Sequence, residues 1–411
     1  MATKSSTPQH HEHSWHSWWI SGDKVLWVII ATMAIISILV VYSSTAKMAY
    51  DANMLNSTAG FLKQQFKVLA AGALFLWLFH KINYPAVRIL TPWAFWLSLA
   101  VTLLAYRFGH VTNGAARWIP IGSFQFQPSE ALKVATILML AKGLAKQQKI
   151  IGRLRIVPSL NPFLWGLPGQ RKIWREGTWP ILCPVVIACA AIVVAHTSSA
   201  ILLFVASLVV MMIGRVRWSE LGKILLLAIL AATLYLAVGI GRSDTANNRV
   251  STWIELLTTD RTNVNINDLT DTERSMIAIH NGGIFGEGAG HSAMRVEMIH
   301  PESDYAFAFF VEEYGLILSL VVLMLYLWLF FRAIEITREC KAAFPVLMVM
   351  GLAVMITCQA LLHIMVTLNI TPETGQTLPL ISRGGSSFFF TAIALGLVLS
   401  VSRQNIENRQ K

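Results

Sequence analysis

Ten apolar runs, separated by polar segments, divide the chain between residues 25 and 402. They lie at about 25–45, 66–80, 92–106, 130–146, 180–195, 199–213, 222–240, 305–331, 343–367 and 387–402. A helix needs roughly 20 apolar residues to cross the hydrocarbon core of a bilayer, and several runs approach that length. The pattern therefore predicts an all-α polytopic membrane protein with about ten transmembrane helices.

The composition supports this fold class. The 411 residues are 55% hydrophobic and 13% charged, with a mean hydropathy of +0.56, whereas about a quarter of the residues of soluble domains are charged. The first 23 residues contain no apolar core of the kind found in cleavable signal peptides, so the first apolar run is predicted to stay in the membrane. The four cysteines show no metal-ligand spacing and are predicted to be buried thiols.

The basic residues predict the orientation. Lys and Arg concentrate in alternate loops, beginning with the loop of Lys81 and Arg88, and the positive-inside rule places these loops and both termini in the cytoplasm. The net charge of +11 is therefore interpreted as topology and contact with anionic lipids, not as nucleic-acid binding. The chain is predicted to consist of a cytoplasmic tail at 1–23, a transmembrane domain at 24–403 and a cytoplasmic tail at 404–411. Within the transmembrane domain, residues 147–179 are predicted to form a basic cytoplasmic loop. Residues 241–304 are predicted to form a large extracytoplasmic loop between helices 7 and 8.

Four acids occur where the 241–304 loop enters an apolar run. They are Glu302, Asp304, Glu312 and Glu313. Acids at a membrane boundary often have a function, and an aspartate with one wet face suits a general base. The alternative is an acidic helix start, favoured by the helix dipole; Glu312 and Glu313 are interpreted as helix contacts.

A second polar segment precedes the fourth apolar run and contains Arg117 and Trp118. An arginine recognises phosphate oxygens in a fork geometry, so these two residues are candidates for a phosphate and its headgroup. Glu130 and Lys133 follow a predicted helix start at Pro128 and stand three residues apart on one face. They are interpreted first as a structural ion pair and second as support for a site.

Two further polar segments lie on the same predicted side of the membrane. Residues 282–292 are glycine-rich, which is equally compatible with simple flexibility and with close approach of the backbone to a ligand. Residues 370–387 contain two prolines, Arg383 and Ser386, and are typical of irregular backbone that lines a cavity. Together the polar segments predict one shared extracytoplasmic site.

These motifs also resemble a known family. The sequences NGAARWI at 113–119, FQPSE at 126–130, GGIFGEGAGHS at 282–292, HPESDYAFAFFVEEYG at 300–315 and PETGQTLPLISRGGSS at 372–387 are similar, in order, to the signatures of the SEDS family (shape, elongation, division and sporulation). The resemblance implies a ten-span peptidoglycan glycosyltransferase that polymerises lipid II outside the cytoplasmic membrane. It also implies a class B penicillin-binding protein as transpeptidase partner, together with other membrane proteins of cell division or elongation.

The resemblance places Asp304 at the position of the family's essential aspartate. There it would be the general base on a sugar hydroxyl that attacks a lipid-linked glycan. Arg117, Arg249 and Arg383 are candidates for stabilising the leaving pyrophosphate. Glu302 would assist or, with Asp304, hold a divalent cation such as Mg or Mn.

The chain departs from the family pattern at two places. Residues 196–200 read His-Thr-Ser-Ser-Ala where the family has a Gln/Glu-Pro-Asp motif, so no role of that aspartate is carried over, and Arg383 stands where many members have Tyr. The Asn113-Gly114 opening and Thr377 favour the division branch of the family over the elongation branch.

Two other classes of function remain. A transporter that flips the lipid precursor would also need outward basic residues and charges such as Glu130 and Lys133, but it should place its key charges near the middle of the membrane. A scaffold of the division machinery without chemistry would tolerate the loss of the Asp304 carboxylate.

Overall fold

The computed structural model describes residues 21–44, 58–112, 115–121, 124–159, 163, 167–239, 243–258, 269–294, 297–298 and 302–410. Most of the predicted N-terminal tail, the Asn113-Gly114 pair and the His300-Pro301 pair lie outside these residues.

The described residues form mainly α-helices. These are α1 (Lys24–Ser44), α2 (Thr58–Lys81), α3 (Tyr84–Phe108), α4 (Pro128–Gln147), α5 (Pro168–Ile173), α6 (Cys183–Val193), α7 (Thr197–Ile213), α8 (Trp218–Val238), α9 (Ser243–Thr258), α10 (Asp271–Gly282), α11 (Ala306–Arg338), α12 (Ala343–Thr367) and α13 (Gly385–Gln410). Helix α13 includes residues 404–410 of the segment expected to be a cytoplasmic tail.

Every apolar run of the sequence coincides with a helix, which confirms the predicted fold class. Seven helical segments of the described residues are long and apolar enough to cross a membrane, and α7 is apolar but shorter. The remaining two runs form α2 and α4, which contain more charged and polar residues. The protein is therefore a multi-pass membrane protein.

Helices α12 and α13 lie at the centre of the bundle. In their most apolar stretches 78% and 72% of the residues are buried, against 11% in α8. Helix α12 packs against α4, α7 and α11, and α13 packs against α2. Helix α8 is peripheral: its buried residues, Glu220, Leu221 and Ile224, all lie near its first turn.

Three short strands connect α3 to α4, and the apolar pattern did not predict them. Strands β1 (His110–Thr112), β2 (Ala115–Ile121) and β3 (Phe124–Phe126) form an antiparallel sheet in that order. Ile119 pairs with Phe126 and Ile121 with Phe124. This sheet delivers the chain to Pro128, the predicted first residue of α4.

The fifth membrane segment begins earlier than its apolar run. Helix α5 starts at Pro168 and continues through a π-helix, Trp174–Leu182, into α6. Close packing accounts for this extension: a Cβ on Gly143 of α4 would lie 2.0 Å from the Pro180 carbonyl oxygen, and the Thr178 hydroxyl donates to the Ile156 carbonyl at 2.6 Å. The predicted basic loop at 147–179 is therefore partly helical.

The glycine-rich segment packs against a break in α11. Gly315 has φ 80° and ψ 171°, which interrupts the helix. The Leu316 amide donates to the Gly283 carbonyl at 3.0 Å, and the Glu287 amide donates to the Glu312 carbonyl at 2.9 Å. The Glu312 carboxylate accepts from the amides of residues 293 and 294 at 3.1 and 3.2 Å, so this acid holds the segment in place.

Replacing Gly315 by Ala is expected to destabilise the protein. A Cβ at residue 315 would lie 2.4 Å from the Ile284 carbonyl oxygen, and the φ of +80° disfavours any L side chain. Strain of this kind costs about 1–3 kcal/mol before the clash is counted. The thermal unfolding of the detergent-solubilised variant should show the loss.

Gly222→Ala provides the matched control, because a Cβ at this exposed position of α8 meets no atom within 4 Å. Alanine is also the better helix former, so this variant should unfold at or above the wild-type temperature. An equally stable Gly315→Ala protein would show that the contact between α11 and the glycine-rich segment is not required.

Candidate active site

A cavity of about 910 Å³ opens at one end of the helix bundle. Its walls come from the first turns of α4, α7 and α13, from the residues before α11, from α2 and α9, and from the loop between α12 and α13. Asp304, Glu302, Trp118, Glu130, Arg249, Arg383 and Ser386 all line it. The structure thus brings seven of the predicted site residues to one cavity.

Asp304 lies two residues before α11, and the loop before α13 holds its segment in place. The Ser303 hydroxyl donates to Asp304 Oδ1 at 3.1 Å. The Ser382 hydroxyl donates to the Ser303 carbonyl at 2.9 Å, and the Arg383 amide donates to the Glu302 carbonyl at 2.9 Å. A general base needs such fixed placement beside the space that its substrate enters.

Two arginines face the cavity from different elements. Arg249 on α9 lies 4.0 Å from the Glu373 carboxylate, and its guanidinium also donates to the Glu373 carbonyl at 3.3 Å. Arg383 lies 4.0 Å from the buried Glu302 carboxylate and donates to Gln64 Oε1 at 3.2 Å. Since an arginine is charged at every physiological pH and offers a planar fork of donors, both residues are suited to phosphate.

Glu130 and Lys133 form the predicted ion pair on α4. Lys133 Nζ lies 2.8 Å from Glu130 Oε1, and the Lys133 side chain is 1% exposed. Lys133 also contacts Gln359 Oε1 of α12 at 3.4 Å. Glu130 lines the cavity and Lys133 lies behind it, so the pair connects the cavity wall to the centre of the bundle.

Ser386 joins the wall of the cavity to the sheet. Its hydroxyl donates to the Gln125 carbonyl at 2.8 Å and accepts from the Gln127 amide at 2.8 Å.

Trp118 on β2 reaches the cavity. The prediction for Arg117 concerns a side chain outside the described part of the structure.

Glu373 is a cavity residue that the sequence motifs contained but did not single out. Burial raises the pKa of Glu373 above its ordinary value; Asp304 and Asp271 also raise it, while Arg249 opposes them. Burial likewise raises the pKa of the neighbouring Tyr305 hydroxyl, so that this side chain stays neutral. Glu373 could have been identified from the sequence as a carboxylate in a loop between two membrane spans, which is the signal that indicated Asp304.

His196 and Gln376 are two more cavity residues that the predictions left without a role. His196 precedes α7, and its Nδ1 accepts from the Ser199 amide at 3.2 Å. The Gln376 side-chain amide donates to the Ser199 hydroxyl at 2.9 Å and lies 3.4 Å from the His196 ring. The segment that departs from the family pattern therefore anchors the loop between α12 and α13.

The acids of the described residues form no group of three or more His, Cys, Asp or Glu side chains suited to hold a metal ion. Magnesium is commonly bound by one or two carboxylates together with phosphate oxygens of a substrate. Asp304 and Glu302 offer two carboxylates for that smaller role.

Comparison with known proteins places these features in one family. A family model described as "Cell cycle protein", which covers FtsW, RodA and SpoVE, matches residues 23–407. Stage V sporulation protein E of Bacillus subtilis is 27% identical over 395 residues, covering 93% of this chain and 97% of that protein. The probable peptidoglycan glycosyltransferase FtsW of Neisseria gonorrhoeae is 27% identical over 428 residues, covering 94% and 85%.

Solved structures share the fold. A chain of the structure described as "Structural coordination of polymerization and crosslinking by a peptidoglycan synthase complex" has a TM-score of 0.69 and 23% identity, covering 94% of this chain and 99% of that chain. The rod shape determining protein RodA of Thermus thermophilus has a TM-score of 0.60 and 22% identity, covering 94% and 98%. With a family match over nearly the whole membrane region, the chain belongs to the FtsW/RodA/SpoVE family of cell cycle proteins, which is the SEDS family that its motifs indicated.

Proposed function

We propose that the protein is a peptidoglycan glycosyltransferase that polymerises lipid II at the outer face of the cytoplasmic membrane. The observation that carries this proposal is the cavity in which Asp304 lies together with Arg249 and Arg383. A carboxylate and two permanent cations are the groups needed to deprotonate a sugar hydroxyl and to stabilise a diphosphate leaving group. The names of the FtsW relatives support the same activity.

Asp304 takes the proton of the acceptor hydroxyl in the proposed reaction. The freed oxygen forms a bond with the anomeric carbon of the second lipid-linked glycan, and the bond from that carbon to the diphosphate oxygen breaks. Arg249 and Arg383 stabilise the negative charge that develops on the departing lipid diphosphate. Glu302 holds Arg383 through an ion pair at 4.0 Å and so positions it.

A divalent cation is compatible with this site. Asp304, with Glu302 nearby in sequence, would hold it together with phosphate oxygens of the substrate. The cation would supply positive charge to the diphosphate.

The orientation follows from the basic loops. With both termini in the cytoplasm, the end of the bundle that contains the cavity faces outward, where a lipid-linked sugar precursor would be used. Membrane lipids and a class B penicillin-binding protein transpeptidase are the proposed partners. The peptidoglycan synthase complex among the solved relatives supports such a pairing.

Polymerisation and lipid flipping are separated by one pair of assays. The purified protein, reconstituted in liposomes with its transpeptidase partner, should convert lipid II into glycan strands and should leave lipid II on its original leaflet. The position of Asp304, Arg249 and Arg383 at one end of the bundle supports this outcome, since a carrier needs its site near the middle of the membrane. Flipping without polymerisation would refute the proposal.

Septal synthesis during cell division is the proposed cellular role, because Thr377 and the Asn113-Gly114 pair resemble the division branch. Depletion of the protein should then produce filamentous cells. Rounded cells would instead assign the protein to the RodA-like elongation role.

A further inference from the structure

The Arg249 guanidinium is directed at Glu373 by two contacts. Its Nη2 lies 4.0 Å from Glu373 Oε1, and its Nη1 donates to the Glu373 carbonyl oxygen at 3.3 Å. Both residues line the cavity. The Glu373 carboxylate is therefore paired with Arg249, the cation that would bind the substrate diphosphate in the proposed reaction.

The ion pair between them is weak enough to be exchanged. The two side chains are 30% and 38% exposed, and 4.0 Å is a long distance for such a pair. Ion pairs that are this long and partly open to solvent contribute little to stability. An arginine binds a phosphate through two parallel charge-assisted hydrogen bonds, which are stronger. A diphosphate that enters the cavity would therefore displace the carboxylate.

Glu373 lies among other acids of the cavity. Asp304, before α11, and Asp271, at the start of α10, both act on it, while Arg249 on α9 is the cation that opposes them. Burial and these acids raise the pKa of Glu373. Once Arg249 turns to a phosphate, Glu373 loses its favourable partner and takes up a proton more readily.

We propose that Glu373 is an internal competitor of the substrate diphosphate for Arg249 and thereby sets how tightly the cavity holds the lipid-linked sugar and its diphosphate product. This inference rests on the proposed function, because that function supplies the diphosphate. Competition of this kind prevents tight retention of the lipid diphosphate after the glycosyl bond has formed.

A direct binding measurement tests the competition. The full-length protein in nanodiscs is titrated with farnesyl diphosphate, a soluble isoprenoid diphosphate, first at an alkaline pH at which Glu373 is ionised and then at successively lower pH. At the alkaline end Glu373→Gln should bind the diphosphate about two- to fivefold more tightly than wild type, the range expected for removal of an exposed ion pair. The ratio should approach one as the pH falls and Glu373 becomes protonated, while the titration of the ligand affects both proteins equally.

Two control variants separate charge competition from a mechanical effect. Arg249→Gln should bind weakly whether or not Glu373→Gln is also present. Trp253→Phe removes the hydrogen bond from the Trp253 indole to the Asn369 carbonyl, 3.0 Å long, which also attaches α9 to this loop; it should leave the affinity unchanged. If Trp253→Phe tightens binding as much as Glu373→Gln does, the effect is mechanical and the inference is wrong.

Equal or weaker diphosphate binding by a folded Glu373→Gln protein at the alkaline end, including undetectable binding by both proteins, would also overturn the inference. Because this assay needs no turnover, its result is independent of the polymerisation assay. If the protein shows the expected binding ratio but does not polymerise lipid II, the proposed function is refuted, while the competition between Glu373 and a diphosphate for Arg249 is still supported.

Discussion

Asp304→Asn is expected to lower the rate of lipid II polymerisation by about 10²–10⁴-fold, the contribution of a positioned general base. Asparagine has the size and shape of aspartate but cannot take a proton from the acceptor hydroxyl. Its carbonyl oxygen can still accept the Ser303 hydroxyl, which donates to Asp304 Oδ1 at 3.1 Å, so the segment should keep its conformation. Glycan strands formed by the purified protein with its transpeptidase partner provide the measurement, and the loss should appear in kcat and not in KM.

Asp271→Asn is the matched control for this experiment. Asp271 lines the same cavity, but its carboxylate is paired with Arg274 at 3.2 Å at the start of α10. Removal of its charge should change the polymerisation rate by far less than the Asp304 substitution. If Asp304→Asn polymerises at the wild-type rate with an unchanged unfolding temperature, Asp304 is not the base.

The membrane explains why helices could be predicted at the ten apolar runs of the sequence. Within hydrocarbon every backbone polar group must be bonded inside its own segment, so each long apolar run becomes a helix. This constraint does not apply outside the hydrocarbon, and the helices and strands formed there were not predicted. Helix α10 begins with a capping box in which Thr270 and Glu273 bond each other's backbone amides, a signal that the sequence displays. The three short strands depend on pairing between segments and have no comparable local signal.

The candidate site, like the fold, was predicted in part from the sequence. The spacing of Glu130 and Lys133 indicated their ion pair, and the resemblance together with the chemistry of a boundary carboxylate indicated Asp304. Glu373 was missed because its significance lies in its distance to Arg249, which is 124 residues away in the chain. The glycine-rich segment was left open between flexibility and ligand contact; the structure shows that it packs against the break at Gly315.

Lys133→Met is expected to destabilise the protein by about 3–5 kcal/mol, the usual effect of removing one partner of a buried ion pair. The Lys133 side chain is 1% exposed and lies 2.8 Å from the Glu130 carboxylate, which is itself 10% exposed. Methionine fills much of the same volume, so the loss arises mainly from the carboxylate left without its cation. Thermal unfolding in detergent measures this loss of stability.

The double variant Glu130→Gln/Lys133→Met decides whether this pair is structural or also functional. Replacing both charges removes the unpaired carboxylate, so the double variant should recover most of the lost stability, and the double-mutant cycle should yield a large coupling energy. A coupling energy near zero would show that the two side chains do not depend on each other. A double variant that is stable and polymerises lipid II normally assigns the pair to the fold alone. One that is stable but slow assigns it to the site, because Glu130 lines the cavity, and a shift of that wall would move the groups that contact the substrate.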